Sequence, residues 1–184
     1  MSDAAAELRR TILGYWPPHA IACMAQLGLA DAMTDGPATA AELAGKVGAD
    51  PGALHRFLRA LAAIGLVEDR GDFTFALTAK GALLGRDHPQ SLRGMALHVG
   101  TQLSPAFARL AECVRTGKPP AGIKYGPDGF AELNGDAPAA AIFNQAMVDN
   151  SRRIAGEAAK AYDFSRFATV MDIGGGYGAA LAEV

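Results

Sequence analysis

Near its end the sequence carries an acid followed by three evenly spaced glycines, Asp172-x-Gly174-x-Gly176-x-Gly178. Glycine lacks a Cβ, so a chain built from it turns sharply and lets a ligand approach the backbone closely. The start of a helix behind such a turn offers unpaired N–H groups to an anionic ligand group. A short apolar run rich in β-branched residues, Thr169-Val170-Met171-Asp172-Ile173, precedes the glycines, and Ala179–Val184 starts a helix behind them. Strand, acid, glycines and helix in that order make the nucleotide-binding turn of a doubly wound α/β domain. The dinucleotide pattern G-x-G-x-x-G fits Gly174 and Gly176, with its third position on Ala179, where alanine is permitted. Spacing alone therefore leaves a nicotinamide dinucleotide open. The acid directly ahead of the glycines favours S-adenosylmethionine.

Other reactive side chains are sparse. The four histidines, His19, His55, His88 and His98, all precede the glycine loop, and His98 sits among apolar residues, where it packs or touches a ligand. Cys23 and Cys113 lie far apart with no C-x-x-C partner. No His/Cys cluster has zinc-ligand spacing, so no metal is expected, and two free thiols in a reducing cytosol is the simplest reading. A long helical pattern opened by Asp136-Ala137-Pro138 runs to about Tyr162, with Ile142, Phe143, Ala146, Met147, Asn150 and Ile154 along one side. Within it Phe143, Met147 and Ser151 recur every four residues and share a face. Apolar residues at that spacing ordinarily pack into a core.

The elements that must hold these residues are mostly helical. A helix is expected from about Asp3 to Trp16, stopped by Pro17-Pro18, and a second from about His19 to Met33. Thr39-Ala40-Ala41-Glu42 is a capping box opening a short helix. Asp50-Pro51 opens another, which carries Leu54, Phe57, Leu58, Leu61 and Ile64 on one face and ends at Gly65. Leu66-Val67 and Phe73–Leu77 then read as two short strands around the turn Asp69-Arg70-Gly71-Asp72. Helix, turn, helix, hairpin is the order of a winged helix. Thr78, Ser91 and Ser104-Pro105 start further helices, the last closing at Thr116-Gly117-Lys118-Pro119-Pro120, and Gly122–Gly129 reads as loop.

Composition supports this reading. Of 184 residues, 50% are hydrophobic and 20% charged, and 39 are alanine, the residue of highest helix propensity. The net charge of −2 provides no global basic field to gather nucleic acid or an anionic membrane. The N-terminal MSDAAAELRR is polar and is no signal peptide, and Ala20–Ala30 is too short to cross a bilayer.

The block LGLADAM, GPATAAELA, DPGALHRFLRALAAIGLVE and FALTAKGALL, followed by TGKP, FNQAM and VMDIGGGYG, resembles the small-molecule O-methyltransferases of the plant caffeate and bacterial polyketide type. The resemblance covers essentially the whole chain in the right order. It implies a mainly α protein, with an N-terminal helical winged-helix dimerisation domain over 1–90 and connecting helices on the acceptor side over 91–165. Residues 166–184 would begin a truncated Rossmann-like domain that binds S-adenosylmethionine. By position Asp172, Gly174 and Gly176 would meet the cofactor, with Ser151 near its methionine end, and Phe143 and Met147 would face the acceptor. Leu133 and Ala139 stand where some plant members place a histidine and an aromatic, which departs from monolignol handling. The family's general base is a histidine well downstream of the glycines, beyond Val184, so no catalytic residue is expected in this chain.

The resemblance thus implies a cytoplasmic homodimer, joined through its N-terminal helices, that takes a small-molecule acceptor and binds neither nucleic acid nor membrane. The 184 residues alone would be competent mainly for dimerisation. Two alternatives belong to other classes: a stand-alone dimerisation module, and a DNA-binding regulator whose recognition helix would present His55, Arg56 and Arg59. The wing, Asp69-Arg70-Gly71-Asp72, is net acidic and fits DNA poorly. An apolar strand at Ala168–Ile173 with open edges is expected to be disordered, to pack on the dimer or to pair with another copy.

Overall fold

In the computed structural model, which describes residues 3–119 and 129–184, side-chain N-caps open four of the described α-helices. The expected loop at Gly122–Gly129 falls almost wholly outside the described residues. Two compact units are present, Met1–Pro89 and Gln90–Val184.

The first unit begins with α1 (Asp3–Leu13) and α2 (Trp16–Leu27). Pro17 and Pro18 do not stop the first helix; they occupy the first turn of α2, where a missing N–H costs no hydrogen bond. The break falls instead at Gly14–Tyr15. The second expected helix is also interrupted, because Gly28 takes a left-handed φ of 66° that separates α2 from α3 (Leu29–Ala32). The two-residue strand β1 (Ala38–Thr39) leads into α4 (Ala40–Val47). Thr39 and Glu42 close the capping box, Glu42 N–H donating to Thr39 Oγ1 at 3.2 Å and Thr39 N–H to the Glu42 carboxylate at 2.8 Å. The Thr39 N–H and, second to it, the Thr39 hydroxyl, both donating to the Glu42 carboxylate, hold that carboxyl below its usual range.

Asp50 caps α5 (Pro51–Ala63) by accepting from Ala53 N–H at 2.7 Å. The hairpin follows as β2 (Val67–Asp69) and β3 (Thr74–Leu77), and β3 also pairs antiparallel with β1, giving the order β1-β3-β2. Phe73 lies in the turn with φ 58° rather than in the strand. The unit closes with α6 (Ala79–Ala82), capped by Thr78. Met24, Leu29, Met33, Leu43, Leu58, Leu61 and Phe75 are fully buried here. At Gly81 a Cβ would run into the Leu66 carbonyl, so only glycine lets α6 sit against the end of α5.

The second unit is built on α7 (Arg93–His98), which packs along the 25-residue α11 (Ala137–Ala161). Gly94 makes the close approach possible, since a Cβ there would lie 2.7 Å from the Ala146 nitrogen and from Asp149 Oδ2. A π turn, Val99–Leu103, follows α7 and runs into α8 (Ser104–Phe107) and α9 (Leu110–Thr116). After the undescribed residues come α10 (Gly129–Asn134) and α11, the latter capped by Asp136 accepting from Ala139 N–H at 3.0 Å. Ile154, expected on the packed side of α11, is exposed.

The expected strand at 168–173 does not form. That segment is irregular and exposed, because this unit has no other strand among its described residues to supply ladder hydrogen bonds. The expected helix at Ala179–Val184 is a single 3₁₀ turn, Leu181–Glu183.

Candidate functional site

The glycine loop keeps the backbone its composition requires even without the strand. Gly174, Gly176 and Gly178 have φ of 80°, 56° and 72°, all in the left-handed region that side chains disfavour. A Cβ at any of the three would meet nothing within 4 Å, so no neighbouring side chain covers the backbone there. Gly175, which the every-second-residue spacing passes over, is the glycine against which the Asp172 carboxylate lies, and a Cβ there would overlap that carboxylate. The signal for it was the unbroken run Gly174-Gly175-Gly176. Gly178 N–H donates to the Gly175 carbonyl at 2.8 Å and Ala182 N–H to Gly178 at 3.1 Å, which closes the turn locally. Asp172, Gly174 and Gly176 are exposed.

On α11, Phe143, Met147 and Ser151 are half-buried, between the buried stripe of Ala146, Asp149 and Ala155 and solvent. Tyr177 of the glycine loop reaches this helix, its hydroxyl accepting from Asn144 Nδ2 at 3.0 Å. The loop and the face of α11 therefore belong to one unit, and Asn144 and Tyr177, neither of them singled out by sequence reasoning, tie them together.

A polar cluster lies beside Phe143. His98 is 6% exposed, its Nδ1 is 2.5 Å from Gln102 Oε1, and its ring meets Phe143 edge-on at 5.6 Å. Gln102 Nε2 donates to the Ala139 carbonyl at 2.8 Å. Near the start of α7 the buried Asp149 accepts from Gly94 N–H at 3.0 Å and from Gln145 Nε2 at 2.8 Å, so it anchors α7 to α11. Sequence reasoning passed over Asp149 because its partner Gly94 lies in another helix, 55 residues away.

In the first unit α1 has no buried residue; Leu8 and Ile12, one turn apart on it, are each 61% exposed, and Tyr15 in the break that follows is 66% exposed. The His55 ring is tilted against those of Phe73 and Phe75, with centroids 4.8 and 5.9 Å away, while Arg56 and Arg59 are exposed. Burial pushes the Cys23 thiol up, which suits a packed residue rather than a nucleophile. Among the described residues no group of His, Cys, Asp or Glu could hold a metal ion, and no helix is long and apolar enough to cross a membrane.

Comparison with known proteins finds relatives for both parts of the chain. Residues 10–87 match the O-methyltransferase dimerisation domain and residues 107–184 the O-methyltransferase domain. The chain is 36% identical over 177 residues to a phenazine O-methyltransferase of Lysobacter antibioticus, covering 96% of this chain and 52% of that protein. It is 34% identical over 173 residues to aclacinomycin 10-hydroxylase of Streptomyces purpurascens, covering 91% and 46%. Among solved structures, the methyltransferase of calicheamicin biosynthesis in its SAH-bound form superposes with a TM-score of 0.80 at 36% identity, covering all of this chain and 56% of that one. The chain thus spans about half the length of the relatives it matches.

Proposed function

Because this chain belongs to the O-methyltransferase family that joins a dimerisation domain to a methyltransferase domain, we propose that it is the dimer-forming and acceptor-side part of an S-adenosylmethionine-dependent O-methyltransferase. The observation that carries the reading is α1. An 11-residue helix with no buried side chain and an apolar stripe of Leu8 and Ile12 has little reason to form alone, and its last turn, from residue 10, enters the dimerisation-domain match. A second copy would cover that stripe and make a homodimer. Residues 1–90 act as the dimerisation domain, a winged helix in which β2 and β3 form the wing. Residues 91–165 supply the acceptor side, and 166–184 begin the cofactor domain.

The loop at Asp172, Gly174 and Gly176 would hold S-adenosylmethionine, with Ser151 near its methionine end, and the cofactor supplies a methyl group on a sulfonium. The left-handed backbone of the three glycines and the absence of covering side chains support this reading. Phe143 and Met147 form one apolar wall for a small, flat acceptor bearing a hydroxyl. Holding acceptor and methyl in line can account for about 7–11 kcal/mol of such a barrier, and a general base adds about 10²–10⁴-fold. His19, His55 and His88 lie in the first unit, ahead of the acceptor helix, and none of the four histidines occupies the family's base position. The 184 residues by themselves therefore transfer no methyl group. Similarity to a hydroxylase supports a second reading, in which the parent protein oxidises the same kind of acceptor. DNA binding fits less well, since His55 is committed to the aromatic pair of the hairpin.

Sedimentation velocity and a radiolabelled methyl-transfer assay test this together. A dimer at micromolar concentration with methyl transfer at background is expected. A wild-type monomer that Ile12→Arg leaves unchanged, or methyl transfer above background, contradicts it.

A further inference from the structure

The glycine loop is held in place from outside itself. Residues 168–173 form no strand, and a Cβ at Gly174, Gly176 or Gly178 would have nothing within 4 Å. Neither a ladder nor packing at these glycines therefore fixes the loop. Its own bonds, Gly178 N–H to the Gly175 carbonyl and Ala182 N–H to the Gly178 carbonyl, close it locally and attach it to nothing else. The anchor is Tyr177, which stands between two left-handed glycines and whose hydroxyl accepts from Asn144 Nδ2 at 3.0 Å. Tyr177 is 75% exposed, so the bond and not burial holds it. Further along, the 3₁₀ turn Leu181–Glu183 packs on α11, and Glu183 Oε2 lies 3.7 Å from where a Cβ at Gly156 would stand. The segment from Tyr177 to Glu183 thus meets α11 at two levels, Asn144 and Gly156, about 18 Å apart along a helix axis. Met147 and Ser151 lie between those levels. Asn144 precedes them by one and two helical turns, which puts all three on one face. The bond brings the loop to that face.

We propose that Asn144 is a positioning residue which, through Tyr177, fixes the glycine loop against the face of α11 that carries Met147 and Ser151. This rests on reading the loop as the site of S-adenosylmethionine and that face as the acceptor side. Asn144 acts through Tyr177 rather than by touching either ligand. Methyl transfer needs acceptor and sulfonium in line. A helix residue that carries the loop sets their alignment from the scaffold, and a loop already held in place costs less to order when the cofactor binds.

The test uses the 184-residue chain as wild type, Asn144→Ala, Tyr177→Phe, the double variant and Asn144→Asp. Two quantities are read: amide exchange at Gly178 and Ala182 by NMR, and the dissociation constant of S-adenosylhomocysteine by calorimetry. Each single variant is expected to speed exchange at both amides and to weaken the probe about fivefold, the factor that one net hydrogen bond of about 1 kcal/mol represents. The double variant is expected to do no more than either single one, because both remove the same bond. Asn144→Asp restores both readings, since the tyrosine hydroxyl can donate to a carboxylate. Exchange in α7 stays at the wild-type rate, which separates release of the loop from a general loosening of the unit. Unchanged exchange at Gly178 and Ala182, additive effects in the double variant, no rescue by Asn144→Asp, or faster exchange across α7 each overturns the proposal. The probe separates it from the reading beneath. A wild type that does not bind S-adenosylhomocysteine removes the cofactor reading and the positioning role with it. Wild-type binding that Asn144→Ala and Tyr177→Phe leave unchanged overturns the positioning role alone.

Discussion

In the first unit Met24, Leu43, Leu58 and Phe75 are wholly shielded from water, while at the end of the second unit Val170, Met171 and Ile173 stand out in it, Ile173 at 90% exposure. The residue types are comparable, and the difference lies in what surrounds them. Around Leu58 the sequence supplies two capped helices and a three-stranded sheet whose central strand β3 is paired on both edges. Around Ile173 the unit supplies no strand among its described residues, and an unpaired backbone prefers water to burial. Apolar content drives burial only where neighbouring elements satisfy the backbone as well.

Substitutions can break or sharpen this contrast. Leu58→Ala removes a fully buried side chain and is expected to cost about 3 kcal/mol, within the range for such truncations. Urea unfolding checks it, and a loss under 1 kcal/mol would mean the first unit is loosely packed. Gly94→Ala pushes a methyl into the α11 backbone and the Asp149 carboxylate, and is expected to cost about 2 kcal/mol in the second unit. A tail change such as Ile173→Ser, by contrast, should shift stability by no more than about 0.5 kcal/mol. A larger loss would show that residues 169–173 are packed in solution.

The capping box adds a pH-dependent test within the first unit. The Glu42 carboxyl is held below its ordinary value in the folded chain, so the unfolded chain takes up protons first as pH falls. Its contribution is fully present above the ordinary carboxylate range and disappears as pH drops through the lowered folded value. Glu42→Gln should flatten that part of the stability–pH curve, as read by thermal unfolding between neutral and acidic pH. An unchanged slope would contradict the assignment.

What could be read from the sequence follows the same division. The caps at Thr39, Asp50, Thr78 and Asp136 are found where their residues place them, because an N-cap bond spans three residues and needs nothing else. The hairpin was legible for the same reason, though Phe73 moved into its turn. β1 was missed, since two residues become a strand only by pairing with β3 some 35 positions on. The segment at 169–173 failed in the opposite way: its residues favour a strand and its surroundings provide no ladder. At the candidate site, the glycines at 174, 176 and 178 were legible from their type, whereas the bonds of Asn144 to Tyr177, Asp149 to Gly94 and Gln102 to Ala139 join residues remote in sequence. The face Phe143, Met147, Ser151 was readable as geometry, and its role as an acceptor wall rests on the family.

Hydrogen exchange followed by mass spectrometry at two protein concentrations reads both halves of the comparison at once. The account predicts slow exchange in α4, α5 and β3 at either concentration, protection of α1 that grows with concentration as its apolar face is covered, and rapid exchange throughout 169–173. Rapid exchange in α1 at both concentrations, or strong protection of 169–173 in a demonstrated monomer, would contradict it.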